Sequence, residues 1–306
     1  MPNENAGDPD TRPRSPDDAA GLGPRSPDDA AGLGPRSPDD AAGLGPRSPD
    51  STVLYDQEGH VVTITYNRPE RMNAINGQLR SELNAAWTRF LEDEDAWVAI
   101  LTGAGRAFCA GADIFDGAGS AGTFPGTFWE KPTVNSFESG LELYKPTIAA
   151  VNGVCLGYAI TAISFCDFVL ASDQATFGFP EVRIGVPTIV GAIRMPERLA
   201  WADAMELLLV GERVDAERAK EMGLVWRVVP HDELMAQARD LAERLCRSAP
   251  LAVRATKEVA ARSRNLGWTE AVRFGETMRI VAQHTEDAAE GRAAAREKRE
   301  PTWKGR

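Results

Sequence analysis

An α/β fold with a helical C-terminal region is what this sequence predicts, and three observations predict it. Short, wholly apolar runs such as "WVAILTG", "TIAAVNG" and "FVLAS" read as strands of a sheet covered on both faces. These runs alternate with segments whose apolar residues recur at helical spacing. Beyond Pro196 the pattern is almost entirely helical.

The first fifty residues stand apart. "RSPDDAAGLGP" occurs at 14–24, 25–35 and 36–46, and a further copy starts at Arg47 and stops at Asp50. Each copy carries two prolines, two glycines and one leucine. Proline removes a backbone donor and glycine adds chain entropy, so no helix is expected to persist. Too little apolar surface is present to offset the cost of ordering. Residues 1–50 are therefore expected to be a disordered, acidic tail, better explained as a tandem expansion than as a binding element. The folded domain is expected over 51–306, with a core over 51–250 and a helical C-terminal region over 251–306.

Within that domain, "TVLY" and "VVTITY" flank "DQEG" and predict a hairpin. "NGQLRSELNAAWTRFLEDED" sets Leu79, Leu83, Trp87, Phe90 and Leu91 on one helical face. The apolar stretch Cys155–Asp167 reads as a buried helix between two strands. "PERLAWADAMELLLVG" predicts one helix ending at Gly211, and "DAERAKEMG" a second, with Asp215 as cap and Gly223 as stop. "LVWRVV" predicts a short strand, followed by amphipathic helices from Asp232 to about Arg247 and from Leu251 onward.

Composition narrows the function. A formal charge of −11 argues against a general nucleic-acid binder. No apolar run approaches the roughly 20 residues that span a bilayer, and the polar, acidic N-terminus is not expected to act as a secretory signal. Cys109, Cys155, Cys166 and Cys246 form no CxxC pair, and His60, His231 and His284 are far apart. Reduced, buried thiols in a cytoplasmic protein are expected, with no metal site and no Ser-His-Asp triad.

Three strand ends carry glycine-rich turns: Leu101–Ile114, Val151–Ala159 and Phe177–Pro187. Small residues let a backbone approach a ligand closely, and a helix starting at Gly157 would aim its first N–H groups at developing negative charge. None of the turns is a Walker loop or a GxGxxG fingerprint.

Taken together and in this order, "NRPERMNAI", "GRAFCAGADI", "KPTIAAVNGVCLG", "CDFVLASDQATFGFPEV" and "EDAAEGRAAAREKREPTWKGR" resemble the crotonase superfamily, the enoyl-CoA hydratase/isomerase enzymes. The resemblance runs from about Thr52 to Arg306. It implies a crotonase-like spiral of ββα units, with the C-terminal helices serving trimerisation and a homotrimer or hexamer as the assembly. It implies an acyl-CoA thioester substrate and no separate cofactor, since coenzyme A is part of that substrate. It also implies two backbone N–H groups that hold the thioester oxygen as an enolate forms, carried over to Ala110 and Tyr158. Ala110, Gly111, Ala112, Asp113 and Ile114 would line the path of the CoA moiety, and Arg71 and Asn73 would flank it. Glu181 aligns with a catalytic glutamate.

Two positions depart from the family pattern. The second glutamate of the hydratases aligns with Thr161, and the glycine usual at the second oxyanion donor is Tyr158. Threonine is no base near neutral pH, although its hydroxyl can hold a water and touch substrate. One glutamate still suffices to move a proton between Cα and Cγ of an enoyl thioester. Single-base isomerisation is therefore the leading expectation. Hydration, decarboxylation or C–C bond formation, and a non-catalytic acyl-CoA-binding scaffold are the alternatives. Asp116, Glu130 and Glu138 are candidates for a substitute acid.

Overall fold

A computed structural model describes residues 50–115, 136–137 and 141–306. The expectations placed on residues 1–49, and on Asp116, Glu130 and Glu138, lie outside the described residues.

The predicted hairpin is β1 (Val53–Glu58) and β2 (Val61–Tyr66), antiparallel and turned at Gly59 with φ 58°. Helix α1 (Gly77–Glu92) follows, and the Asn76 side chain caps it by accepting the Leu79 N–H at 2.9 Å. It buries Leu79, Leu83, Trp87 and Phe90 of the predicted face, together with Ala86, while Leu91 is half-buried.

Three strand pairs then build the centre: β3 (Val98–Gly103) with β4 (Ala107–Cys109), β5 (Thr147–Val151) with β6 (Val154–Leu156), and β7 (Phe168–Ser172) with β8 (Thr176–Gly178). The first strand of each pair joins a six-stranded sheet, ordered β1-β2-β3-β5-β7-β10, where β10 is Arg227–Val229. The second joins a four-stranded sheet, ordered β4-β6-β8-β9, where β9 is Val214–Asp215. All neighbours are parallel except β1/β2 and β8/β9. This repeated stepping from one sheet to the other is the crotonase-like spiral.

The apolar strands are explained by what covers them. Along β3, Val98 and Ile100 face helix α6 (Leu234–Cys246), while Ala99 and Leu101 face the main core. Strand β5 divides the same way, with Ile148 and Ala150 toward α6 and Ala149 and Val151 toward the main core. With both faces buried, no position is left for a polar alternate. Helix α6 supplies Leu234, Ala238, Leu241 and Ala242 at helical spacing.

One helix expected from the sequence is two. Helix α3 (Val190–Arg198) contains Pro196 instead of starting there, and Leu199 and Ala200 are extended. Helix α4 (Trp201–Met205) then begins and runs into a π-helical turn at Glu206–Val210, ended by Gly211 at φ 67°. Pro196 has no N–H for the carbonyl of residue 192 and crowds it, and the helix ends soon after. The break preserves the apolar period, which is why the period does not reveal it. Helix α5 (Ala216–Glu221) has the predicted Asp215 cap, whose carboxylate accepts the Arg218 N–H at 2.8 Å. The chain closes with α7 (Pro250–Arg262), α8 (Trp268–Gln283) and α9 (Glu286–Glu297). Helix α8 buries no residue and exposes Trp268, Val272, Ile280 and Val281.

Candidate active site

Helix α2 (Tyr158–Ile163) leaves strand β6 through Gly157, which has φ 55°. That conformation favours glycine. The Glu181 side chain also occupies the space: a β-carbon at 157 would stand 2.1 Å from Oε1 of Glu181 and 2.9 Å from its Cδ, so it would displace the carboxyl. Glu181 is held there by a 3₁₀ turn over Pro180–Ile184, closed by Gly185 at φ 79°. The Glu181 carboxyl therefore lies against the peptide that leads into Tyr158.

The Glu181 Oε2 atom is buried without a hydrogen-bond partner among the described residues. Burial raises the pKa of the group, and a bond from its own backbone N–H offsets this in part. An orphaned buried carboxylate is costly and is found where it has chemical work.

A cavity of about 580 Å³ opens at this carboxyl. Arg71, Ala110, Gly111, Ala112, Asp113 and Ile114 line it together with Gly157 and Glu181, so most of the residues singled out from the sequence converge. Arg106 and Glu70 also line it. Gly111, at φ 91°, packs so tightly on the neighbouring segment that a β-carbon would stand 2.9 Å from the Leu156 carbonyl oxygen and 3.8 Å from the Tyr158 nitrogen. The turn at 110–113 and the start of α2 are thus in contact.

The geometry departs from the sequence expectations at three positions, Ala110, Asn73 and Thr161. The Ala110 N–H already donates to the Met72 carbonyl at 3.0 Å and is not available to an oxyanion. Two residues on, Ile75 brackets Ala112: the Ile75 N–H donates to Gly111 O at 2.8 Å, and the Asp113 N–H donates to Ile75 O at 3.0 Å. In such a parallel bridge the middle residue turns its own N–H to the opposite side. Ala112 donates no hydrogen bond among the described residues, so the amide facing the cavity is that of Ala112. The Tyr158 amide, first in α2, lies outside the intrahelical ladder.

Asn73 is fully buried and does not reach the cavity. Its Nδ2 donates to the carbonyls of Ala104, Ala107 and Phe108 at 2.9, 2.8 and 3.1 Å, and its Oδ1 accepts the Arg68 N–H at 2.8 Å. It ties the 68–75 turn to strand β4 and has no group left for a ligand. The Asp113 carboxylate is 3.1 Å from the Arg68 guanidinium and accepts the Phe115 N–H at 3.2 Å, so it shapes the turn. Thr161 is 5% exposed and does not line the cavity. Its Oγ1 points at helix α3, where a β-carbon on Gly191 would stand 2.9 Å away.

The Tyr158 ring lies beneath Arg80, with the guanidinium 5.0 Å from the ring centroid. Neither Arg80 nor Arg68 stood out in the sequence. Arg68 had one signal, its place in "NRPERMN", and Arg80 had none. Cys109, Cys155 and Cys166 are free thiols whose pKa values burial raises, to about 12 for Cys109 and Cys166. Among the described residues no cluster of His, Cys, Asp and Glu could hold a metal ion.

A carboxyl set beside backbone amides in one cleft is an arrangement suited to acid–base chemistry on a carbonyl compound. The enoyl-CoA hydratase/isomerase family model matches residues 56–306. A probable enoyl-CoA hydratase of Mycobacterium tuberculosis is 37% identical over 256 residues, 82% of this chain and 97% of that protein. A carnitinyl-CoA dehydratase of Proteus mirabilis is 38% identical over 256 residues, 81% and 96% of the two chains. The crystal structure of an enoyl-CoA hydratase/isomerase from Mycobacterium paratuberculosis superposes with a TM-score of 0.74 at 38% identity, over 84% of this chain and all of that one. This chain belongs to the enoyl-CoA hydratase/isomerase family of the crotonase superfamily and is an enzyme.

Proposed function

We propose that this enzyme is a single-base enoyl-CoA isomerase. A 3-enoyl-CoA enters with its thioester oxygen between the amides of Ala112 and Tyr158. Glu181 takes a proton from Cα, the electron pair passes into the thioester as an enolate, and the two N–H groups hold the oxyanion. The same carboxyl returns its proton at Cγ, which leaves the double bond between Cα and Cβ. Donors set in place before charge develops contribute roughly 3 kcal/mol each.

The observation that supports this reading is the pairing of Glu181 with Thr161. The first is a buried carboxylate with an unsatisfied oxygen at the cavity. The second carries no carboxyl and turns toward Gly191. With one base in reach, proton relocation is supported better than addition of water, which needs water activated and a proton delivered at the same time. Arg71 and Arg106 give the cavity rim a positive side suited to CoA phosphates.

A second reading, hydration of an enoyl-CoA or its reversal, is favoured by the relatives named hydratases and dehydratases. The rates of 3-enoyl-CoA isomerisation and of crotonyl-CoA hydration, measured on one preparation, separate the two. Isomerisation is expected to be far faster, and efficient hydration of crotonyl-CoA would overturn the single-base reading.

The apolar residues exposed on α8 support a homotrimer or hexamer. No described helix is long and apolar enough to cross a membrane. A cytoplasmic setting, no cofactor beyond the CoA of the substrate and no nucleic-acid partner complete the proposal.

A further inference from the structure

We propose that Arg80 and Tyr158 together form an acyl-end recognition pair that selects CoA thioesters whose short acyl group carries a terminal carboxylate. The inference rests on the reading above, in which the thioester oxygen sits at the amides of Ala112 and Tyr158.

Arg80 stands near the start of α1, and the entrance to that helix is stitched to the site. Ile75 exchanges hydrogen bonds with both neighbours of Ala112, at 2.8 and 3.0 Å. Five residues later the Arg80 guanidinium lies over the Tyr158 ring. One residue thus contributes its amide at the oxyanion position and its ring as the shelf beneath an arginine. A guanidinium over an aromatic face is held by the ring quadrupole, which leaves the in-plane N–H fork free to point elsewhere.

The other arginines near α2 have their donors engaged. Arg68 is committed to Asp113 and the Ala74 carbonyl. Arg194 and Arg198 close the carbonyls of Ser164 and Cys166 at the far end of α2. Arg80 is exposed; its backbone N–H donates to the Asn76 carbonyl at 3.0 Å, and its guanidinium makes no hydrogen bond or ion pair among the described residues. An arginine set on an aromatic ring with its fork unused is matched by a carboxylate, which it binds through two parallel charge-assisted hydrogen bonds.

Position distinguishes the acyl end from the CoA end. Arg71, Arg106 and Glu70 line the cavity, whereas Arg80 and Tyr158 do not. Arg80 is therefore set apart from the wall that suits the CoA phosphates, and it contacts the Tyr158 ring instead. That ring belongs to the residue whose amide the reading above sets at the thioester oxygen. The acyl group that fits carries its carboxylate a few carbons beyond Cβ, as in a dicarboxylic acid monothioester.

Calorimetric titration of the full chain with glutaryl-CoA, pentanoyl-CoA and free CoA tests this without any turnover. Glutaryl-CoA is expected to bind about 10- to 100-fold more tightly than pentanoyl-CoA, the range for a hydrogen-bonded charge pair. Arg80→Gln should abolish that preference while leaving pentanoyl-CoA and CoA affinities unchanged, and Arg80→Lys should keep part of it. A wild-type protein without the preference overturns the proposal. So does an Arg80→Gln variant that loses affinity equally for all three ligands, which would place Arg80 on the CoA phosphates. If neither acyl-CoA binds more tightly than CoA alone, the site reading itself falls along with this one.

Discussion

The carboxyl of Glu181 rests on the α-carbon of Gly157, at a distance that admits no β-carbon between them. The contact sets the carboxyl against the peptide whose next amide opens α2. The carboxyl and the amide that opens α2 are thereby set by one packing relationship.

Burial raises the Glu181 pKa, and a base works only when deprotonated. Activity is therefore present above the folded-state pKa and lost as pH falls through it. The acid limb of kcat/KM should lie above the range of an ordinary glutamate. Glu181→Gln should lower turnover roughly 10²- to 10⁴-fold, keep acyl-CoA binding and erase that limb. Its stability effect has a definite sign. With a folded pKa above the unfolded one, the carboxyl loses stability as pH rises through the folded value. Glu181→Gln should thus melt no lower than wild type at pH 7 and show a weaker pH dependence of Tm.

Gly157→Ala should displace the carboxyl and strain a φ of 55°. Turnover is expected to approach that of Glu181→Gln. The double variant should be little worse than Glu181→Gln alone, because the two changes remove one interaction. A fully additive loss, measured in a double-mutant cycle, would show that Gly157 acts through something other than Glu181.

Thr161→Glu tests whether a second carboxylate is simply missing. The Thr161 hydroxyl already meets the α-carbon side of Gly191, where Thr188 and Phe179 also crowd in. A longer side chain overpacks that contact at a cost of about 1–3 kcal/mol. Chemical denaturation should report the loss, and crotonyl-CoA hydration should stay low. A stable variant that hydrates rapidly would show that residue 161 does reach the cavity.

Asn73→Ala removes the donor shared by three carbonyls and leaves a non-glycine residue at φ 57°. Each buried group left without a partner costs about 1–3 kcal/mol. Asn73→Gly loses the same bonds but relieves the backbone, so it should be the more stable of the two. Unfolding curves for both variants would separate backbone strain from lost hydrogen bonds.

Much of the fold was legible because its signals are local. The alternation of apolar strands and helical stretches follows from burial on both faces of the large sheet. The Asn76 and Asp215 caps use side chains next to the amides they satisfy. The break at Leu199 and Ala200 was not legible, since two extended residues leave the apolar period intact. Nor was Arg80, whose place over Tyr158 joins residues 78 positions apart in the chain.

By itself the sequence determined the α/β class, the order of the elements, the glycine-rich turns and Glu181 as the carboxyl in a family position. Tertiary structure decided which amide faces the cavity. Ala110 and Ala112 flank the same glycine, and only the pairing of Ile75 with Gly111 and Asp113 turns one N–H toward Met72 and the other toward the cleft. It also made Asn73 a brace and turned Thr161 onto Gly191. The physical reason is directional. A residue's identity fixes which hydrogen bonds it can make, but the direction of a backbone amide or a hydroxyl is fixed by the partner across the fold.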